Sequence, residues 1–142
     1  MARFVRYFEM CDKQGRIEYC LFFATNHDLG HLKMKEAMWR VDLLGHFRFS
    51  DATNPSQTVL FTEPSIGELA SSITARFAGR GPLAAAEVRV FVENETAYLK
   101  KHMTAALQDL EQNGRLRVQP TKSDGTKRRA KSYPDNAMLK FQ

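Results

Sequence analysis

Seven basic side chains lie between Arg115 and Lys131: Arg115, Arg117, Lys122, Lys127, Arg128, Arg129 and Lys131. One carboxylate, Asp124, stands among them. Guanidinium and ammonium groups at that density suit phosphate oxygens, and a segregated basic patch points to a polyanionic partner. Just upstream, Thr96, Tyr98, Lys100, Lys101 and Thr104 are of the types that reach phosphates and base edges. The net charge of +5 is confined to this half of the chain. Residues 1–79 balance nine Lys/Arg against nine Asp/Glu, whereas residues 80–142 hold twelve against seven. A charge run of this kind is otherwise a solvated hairpin whose charges serve solubility. Its position directly after a helix pattern favours nucleic acid, with duplex DNA as the expected partner.

Other chemistry finds less support. His27 and His31 have i, i+4 spacing and could share a helix face, but the run is HDLGH rather than HExxH. A third ligand at fixed spacing is missing, so no metal is expected. His27 reads as a helix-capping residue and His31 as a surface one. Cys11 and Cys20 lack CxxC spacing and are too few for a disulfide scaffold. Cys20 sits in an apolar strand pattern and reads as packing. There is no GxSxG, P-loop or GxGxxG, and Glu9, Asp12, Glu18, Asp28 and Asp42 form no evident pair. Neither a catalytic residue nor a cofactor is expected.

The basic run needs a frame to present it. Leu99, Met103, Ala106, Leu107 and Leu110 recur at helical spacing, so a helix is predicted over 95–112, capped by Asn94 or Thr96 and stopped at Gly114. Leu116 and Val118 alternate with arginines as a strand at 115–119. A polar loop follows, then a returning strand at 129–133 and a last strand at Ala137–Phe141. Upstream, Ser65 with Glu68 three residues on is a capping-box pattern. Ile66, Leu69, Ala70, Ile73 and Phe77 then give a helix over 65–77. Gly79-Arg80-Gly81-Pro82 breaks it, and a second helix is predicted over 83–92. Three helices, a strand, a basic loop and a returning strand make a winged helix, with the third helix set for the major groove and the wing for the backbone.

The first part reads differently. Arg3–Met10 alternates as a strand, and Asp12-Lys13-Gln14-Gly15 is a turn. Ile17–Thr25 is nearly continuous in apolar residues, as in a strand buried on both faces, and is expected to be central in its sheet. A helix over Leu29–Val41 and short strands at His46–Ser50 and Gln57–Thr62 follow. The expected fold class is therefore α+β. A small hairpin-and-helix part, 1–62, packs on a winged helix, 63–142. With 142 residues, 43% hydrophobic and 26% charged, a cored protein is expected rather than disorder. No apolar run reaches membrane-helix length and no signal-peptide core is present, so a cytoplasmic protein is expected.

Two stretches carry a resemblance. The run Tyr19–Asp42 (YCLFFATNHDLGHLKMKEAMWRVD), with Phe47–Asp51 after it, resembles the bacterial three-Cys-motif partner proteins. The block FVENETAYLKKHMTAALQDLEQNGRLRV is similar to the winged-helix domain at the C-terminus of that family. Members of the family are longer, with an upstream methyltransferase-like α/β region, and their genes lie beside a radical-SAM-like protein. The corresponding glycine loop is absent from this chain, so methyl transfer is not carried over. The resemblance implies a protein partner docking through residues 1–62, with an exposed apolar patch around Phe4, Tyr7, Trp39 or Phe47. It also leaves a sheet edge to be covered, for which a homodimer is one solution.

Overall fold

The structure, a computed structural model, describes residues 1–42, 48–50 and 65–142. The fold is mixed α+β, and its contacts divide the chain into two compact units, Met1–Pro64 and Ser65–Gln142.

In the first unit, strand β1 (Phe4–Cys11) and strand β2 (Ile17–Thr25) form an antiparallel hairpin. The turn depends on Asp12, whose Oδ1 accepts from the backbone of Gln14 and Arg16, and on Gly15 at φ +80. Helix α1 (Asp28–Val41) follows, and strand β3 (Arg48–Ser50) adds in parallel to β1. The sheet order is β2-β1-β3. The expectation that Ile17–Thr25 is central is therefore corrected: among the described residues β1 is central and β2 is an edge. An apolar run records what a strand must bury, not where it sits. Here β3 pairs with the free edge of β1 and leaves β2 outside, with Ile17, Tyr19, Leu21 and Phe22 exposed. The strand expected at Gln57–Thr62, and Phe47, lie outside the described residues. Of the aromatic residues expected on an exposed patch, Tyr7 is exposed while Phe4 and Trp39 are buried.

Alternation fixes what α1 covers. Cross-strand partners share a face, so Phe4, Arg6, Phe8 and Met10 lie with Thr25, Phe23, Leu21 and Tyr19 beneath α1. Gly30 suits this approach, because a Cβ there would stand 3.1 Å from Thr25 Oγ1. The two histidines differ from expectation. His27 occupies the N-cap position of α1 without a side-chain cap bond. His31 is buried rather than on the surface: it stacks on Phe4 at 4.3 Å and its Nε2 accepts from Arg6 Nε at 2.9 Å. Only a neutral imidazole offers that acceptor.

The second unit has the order α2 (Ile66–Phe77), β4 (Leu83–Ala84), α3 (Ala85–Glu95), α4 (Lys100–Gln112), β5 (Leu116–Val118), β6 (Met138–Phe141). Ser65 Oγ accepts from Glu68 N at 3.3 Å, the cap expected from the sequence. The second helix begins two residues late because Leu83 and Ala84 pair with Leu139 and Met138 as a strand. The sheet order is β4-β6-β5. The expected return at 129–133 is corrected: the strand that pairs with β5 is β6, through Leu116↔Phe141 and Val118↔Leu139. Leu116, Leu139 and Phe141 join the core and Val118 packs against it, whereas of residues 129–133 only Tyr133 does. Leu69, Ile73, Val88, Val92, Met103, Leu107, Leu110 and Leu139 are fully buried and bind the helices to the sheet. Each such side chain contributes about 1.5–3 kcal/mol, so this core dominates the stability of the unit.

The buried imidazole gives a pH prediction for the first unit. Burial, then Arg6, then Lys35 hold the His31 pKa below its ordinary value, with Asp28 opposing weakly. The unfolded chain takes up this proton first, near pH about 6.5. Stability is therefore present above that pH and declines as pH falls toward the folded-state value. An NMR titration should find one imidazole titrating below the ordinary range, and urea midpoints should drop on acidification. His31→Gln should flatten that drop.

Candidate nucleic-acid interface

Helix α4 turns one side to the core, through Met103, Ala106, Leu107 and Leu110, and the rest outward. Its start is built by local polar contacts. Thr96 Oγ1 donates to Val92 O at 2.7 Å and accepts from Tyr98 N at 3.2 Å, closing the end of α3. The side chain of His102 turns back, and its Nδ1 accepts from Leu99 N at 3.1 Å. The cap is one-sided: His102 satisfies the Leu99 amide, and Leu99 has no side-chain acceptor to return the bond as Asn94 or Thr96 would have done. Tyr98 reaches the N-terminal end of α2, its hydroxyl lying 3.4 Å from Ser65 O and 3.5 Å from Glu68 Oε2. Thr96 and Tyr98 thus shape the turn between α3 and α4 from outside the helix. Lys100 and Lys101 open α4 and are exposed, and among the described residues neither forms an ion pair. Thr104 is half-buried and its Oγ1 donates to Lys100 O.

At the other end, Arg115 N donates to Leu110 O and Gly114 sits at φ +72, a left-handed helix stop. The chain then enters β5 and, after it, the wing, residues 119–137. A tight turn forms the tip: Lys122 N donates to Thr126 O, and Thr121 and Lys127 form a bridge. Asp124 organises the turn, accepting from Thr126 N, Thr126 Oγ1 and Asn136 Nδ2. These hydrogen bonds, with Thr126 first, lower its pKa. Lys122 Nζ lies 3.9 Å from Asp124, so part of its charge is answered locally. Lys127, Arg129 and Lys131 are exposed.

Arg128 has a different role. Its Nη2 donates to Glu111 Oε1 at 2.7 Å, its Nη1 donates to Ser132 O, and its guanidinium lies 5.5 Å from the Tyr133 ring centre. The Tyr133 hydroxyl donates to Glu111 Oε2 at 2.5 Å. Burial, then Glu111, raise the Tyr133 pKa, so the phenol keeps its proton and the donor role. Gln108 Nε2 donates to Lys131 O, and Lys131 itself takes φ 55. The base of the wing is therefore pinned across the C-terminal half of α4. Of the exposed cations, Lys100 and Lys101 lie at the start of the helix, Lys127, Arg129 and Lys131 in the wing, and Arg115 and Arg117 just beyond the end of the helix.

Two contributors were missing from the sequence reading. Lys140 stands directly across from Arg117 in the β5–β6 ladder, and both are exposed. Like charges placed opposite each other destabilise a strand pair, and a bound anion would offset that. The signal was hidden because Lys140 was not assigned to the wing sheet. Glu111 carries no local signal in the helix pattern, yet its contacts with Arg128 and Tyr133 fold the wing back.

A helix, a short strand, two helices and a two-stranded wing sheet, in that order and with this pairing, define a winged helix-turn-helix. The family model described as the GMT-like wHTH domain matches residues 48–123, more than half of the chain, and the chain belongs to that family. No curated protein matches it, and no solved structure does.

The pinning contact gives a stability prediction. Glu111→Ala strands Arg128 and leaves Tyr133 without its acceptor, and it should cost about 2 kcal/mol in urea unfolding. Tyr133→Phe removes one hydrogen bond and should cost about 1 kcal/mol. Equal stability of Glu111→Ala and the parent would show that the wing is held some other way.

Proposed function

We propose that the protein is a non-enzymatic nucleic-acid-binding protein that takes duplex DNA through the start of α4 and the outer wing, acting in the cytoplasm. The observation that carries this reading is the set of exposed cations on a winged-helix frame: Lys100, Lys101, Lys127, Arg129 and Lys131. Phosphate contacts from the wing would fix register, with Arg117 and Lys122 adding to them. Thr104 lies one turn after Lys100, to whose carbonyl its hydroxyl donates, and would approach base edges beside the two lysines. Thr96 and Tyr98 serve the site by holding the turn before α4, and Arg128 serves it by holding the wing. None of the described helices is long and apolar enough to cross a membrane, which fits a partner other than lipid.

A second reading is an assembly module that docks a larger protein, such as a radical-SAM-like enzyme, through the first unit. The observation in its favour is the exposed apolar surface of β1 and β2, with Val5, Tyr7 and Phe22 on one face. The resemblance to three-Cys-motif partner proteins points the same way. Co-purification with the product of a neighbouring gene would support it.

Fluorescence anisotropy with a random duplex tests the first reading. With about five phosphate contacts, log affinity should fall with log salt at a slope of roughly −4 to −5. Lys127→Ala with Arg129→Ala should make that slope shallower by about 2, because each phosphate contact contributes about one. Arg128→Ala is unsuitable for this purpose, since it releases the wing from Glu111. Absence of binding at low salt, or binding unchanged by the double substitution, would contradict the reading.

A further inference from the structure

We infer that β2 is an interface strand, and that its partner is β2 of a second copy of this chain. The inference goes beyond DNA binding and does not depend on it.

The starting point is the conflict between the composition of β2 and its place. Ile17–Thr25 is apolar on both faces, yet among the described residues it pairs only with β1. Tyr19 and Leu21, on the face toward α1, are 52% and 54% exposed, and Phe22, on the other face, is 73% exposed. A strand edge of this kind is a template for another strand. Proteins that stay monomeric usually guard it with lysine, proline or inward-pointing charge. β2 contains no lysine and no proline, and its one charged residue is Glu18. Beside the edge, Phe8, Met10, Leu21, Met34, Met38 and Val41 line an open apolar groove of about 350 Å³. Burial of that groove and of the β2 side chains would supply the apolar area that a lone pair of strands lacks.

Symmetry and charge choose a second copy as the occupant. The ladder with β1 shifts between Met10↔Tyr19 and Cys11↔Ile17, so a bulge at Glu18 ends the regular part of β2. That leaves Tyr19–Thr25 for pairing. Two antiparallel copies related by a two-fold axis perpendicular to the sheet must pair residues that point to the same face. With the axis at Phe22, all seven regular residues find a partner: Phe22 with Phe22, Leu21 with Phe23, Cys20 with Ala24 and Tyr19 with Thr25. Every pair is uncharged, three of the four pairings contain an aromatic residue, and Glu18 falls beyond the ladder. A self-complementary patch of this kind is what a two-fold interface requires. The two copies then share one six-stranded sheet through their first units.

Light scattering on a sizing column should give twice the 16.2 kDa mass of the chain. Phe22→Lys sets two like charges on the axis and should convert the dimer to monomer. Phe22 is largely exposed, so its circular dichroism and melting as a monomer should show an intact fold. In a Cys20→Ser background, Phe22→Cys should cross-link two copies under mild oxidation, while Leu21→Cys, which faces Phe23, should not. A monomeric parent chain overturns the proposal, whatever else the strand binds. Cross-linking at Leu21→Cys instead of Phe22→Cys overturns the register, and a Phe22→Lys variant that remains dimeric overturns the assignment to β2.

Discussion

One carboxylate determines what the second unit can present. Glu111 accepts from Arg128 with one oxygen and from Tyr133 with the other, and so binds the wing to the last turns of α4. The Arg128 side chain is 10% exposed, so this pair is sheltered from water and less screened than a surface ion pair. Its effect is one of selection. The C-terminal half of α4 is spent on the wing, through Gln108 as well as Glu111. The start of the helix, with Lys100 and Lys101, and the outer wing stay open. A basic run of seven residues thus becomes two kinds of cation, one that builds the surface and several that occupy it.

The frame of this unit was legible because local signals and the core agree. The stripe from Leu99 to Leu110, the Ser65 cap and the Gly114 stop each demand one conformation, and packing supports all three. What was not legible depended on pairing at a distance. Arg129–Tyr133 reads as a strand in isolation, but β5 pairs with Met138–Phe141 because Leu139 and Phe141 complete the core beside Leu116 and Val118. The same holds for the candidate site. Exposure of Lys127 and Arg129 agrees with their sequence pattern. The fate of Arg128 could not be read, since nothing local couples it to a carboxylate seventeen residues earlier. Thr96 was read as opening α4, and it closes α3 instead, because its hydroxyl finds the Val92 carbonyl four residues back.

The first unit shows the reverse case. Its described elements follow the sequence pattern, yet the order of its strands does not, since periodicity says nothing of which strand a third one joins. β3 joins β1, and the most apolar strand of the chain is left at an edge. His31 is another residue whose environment escapes the sequence. The sequence pattern puts it on the surface, whereas stacking on Phe4 and the hydrogen bond from Arg6 make it a buried neutral acceptor. In both units the residues that look most chemical in sequence are partly structural.

The central claim is that the start of α4 and the outer wing together form the surface that meets DNA. Backbone amide shifts of the full chain, followed by NMR as a short duplex is added, test it most directly. The account predicts shifts clustered at Lys100–Ala105 and at Lys127 and Arg129, with β1 and β2 unmoved. Shifts confined to β1 and β2, or none at low salt, would contradict it.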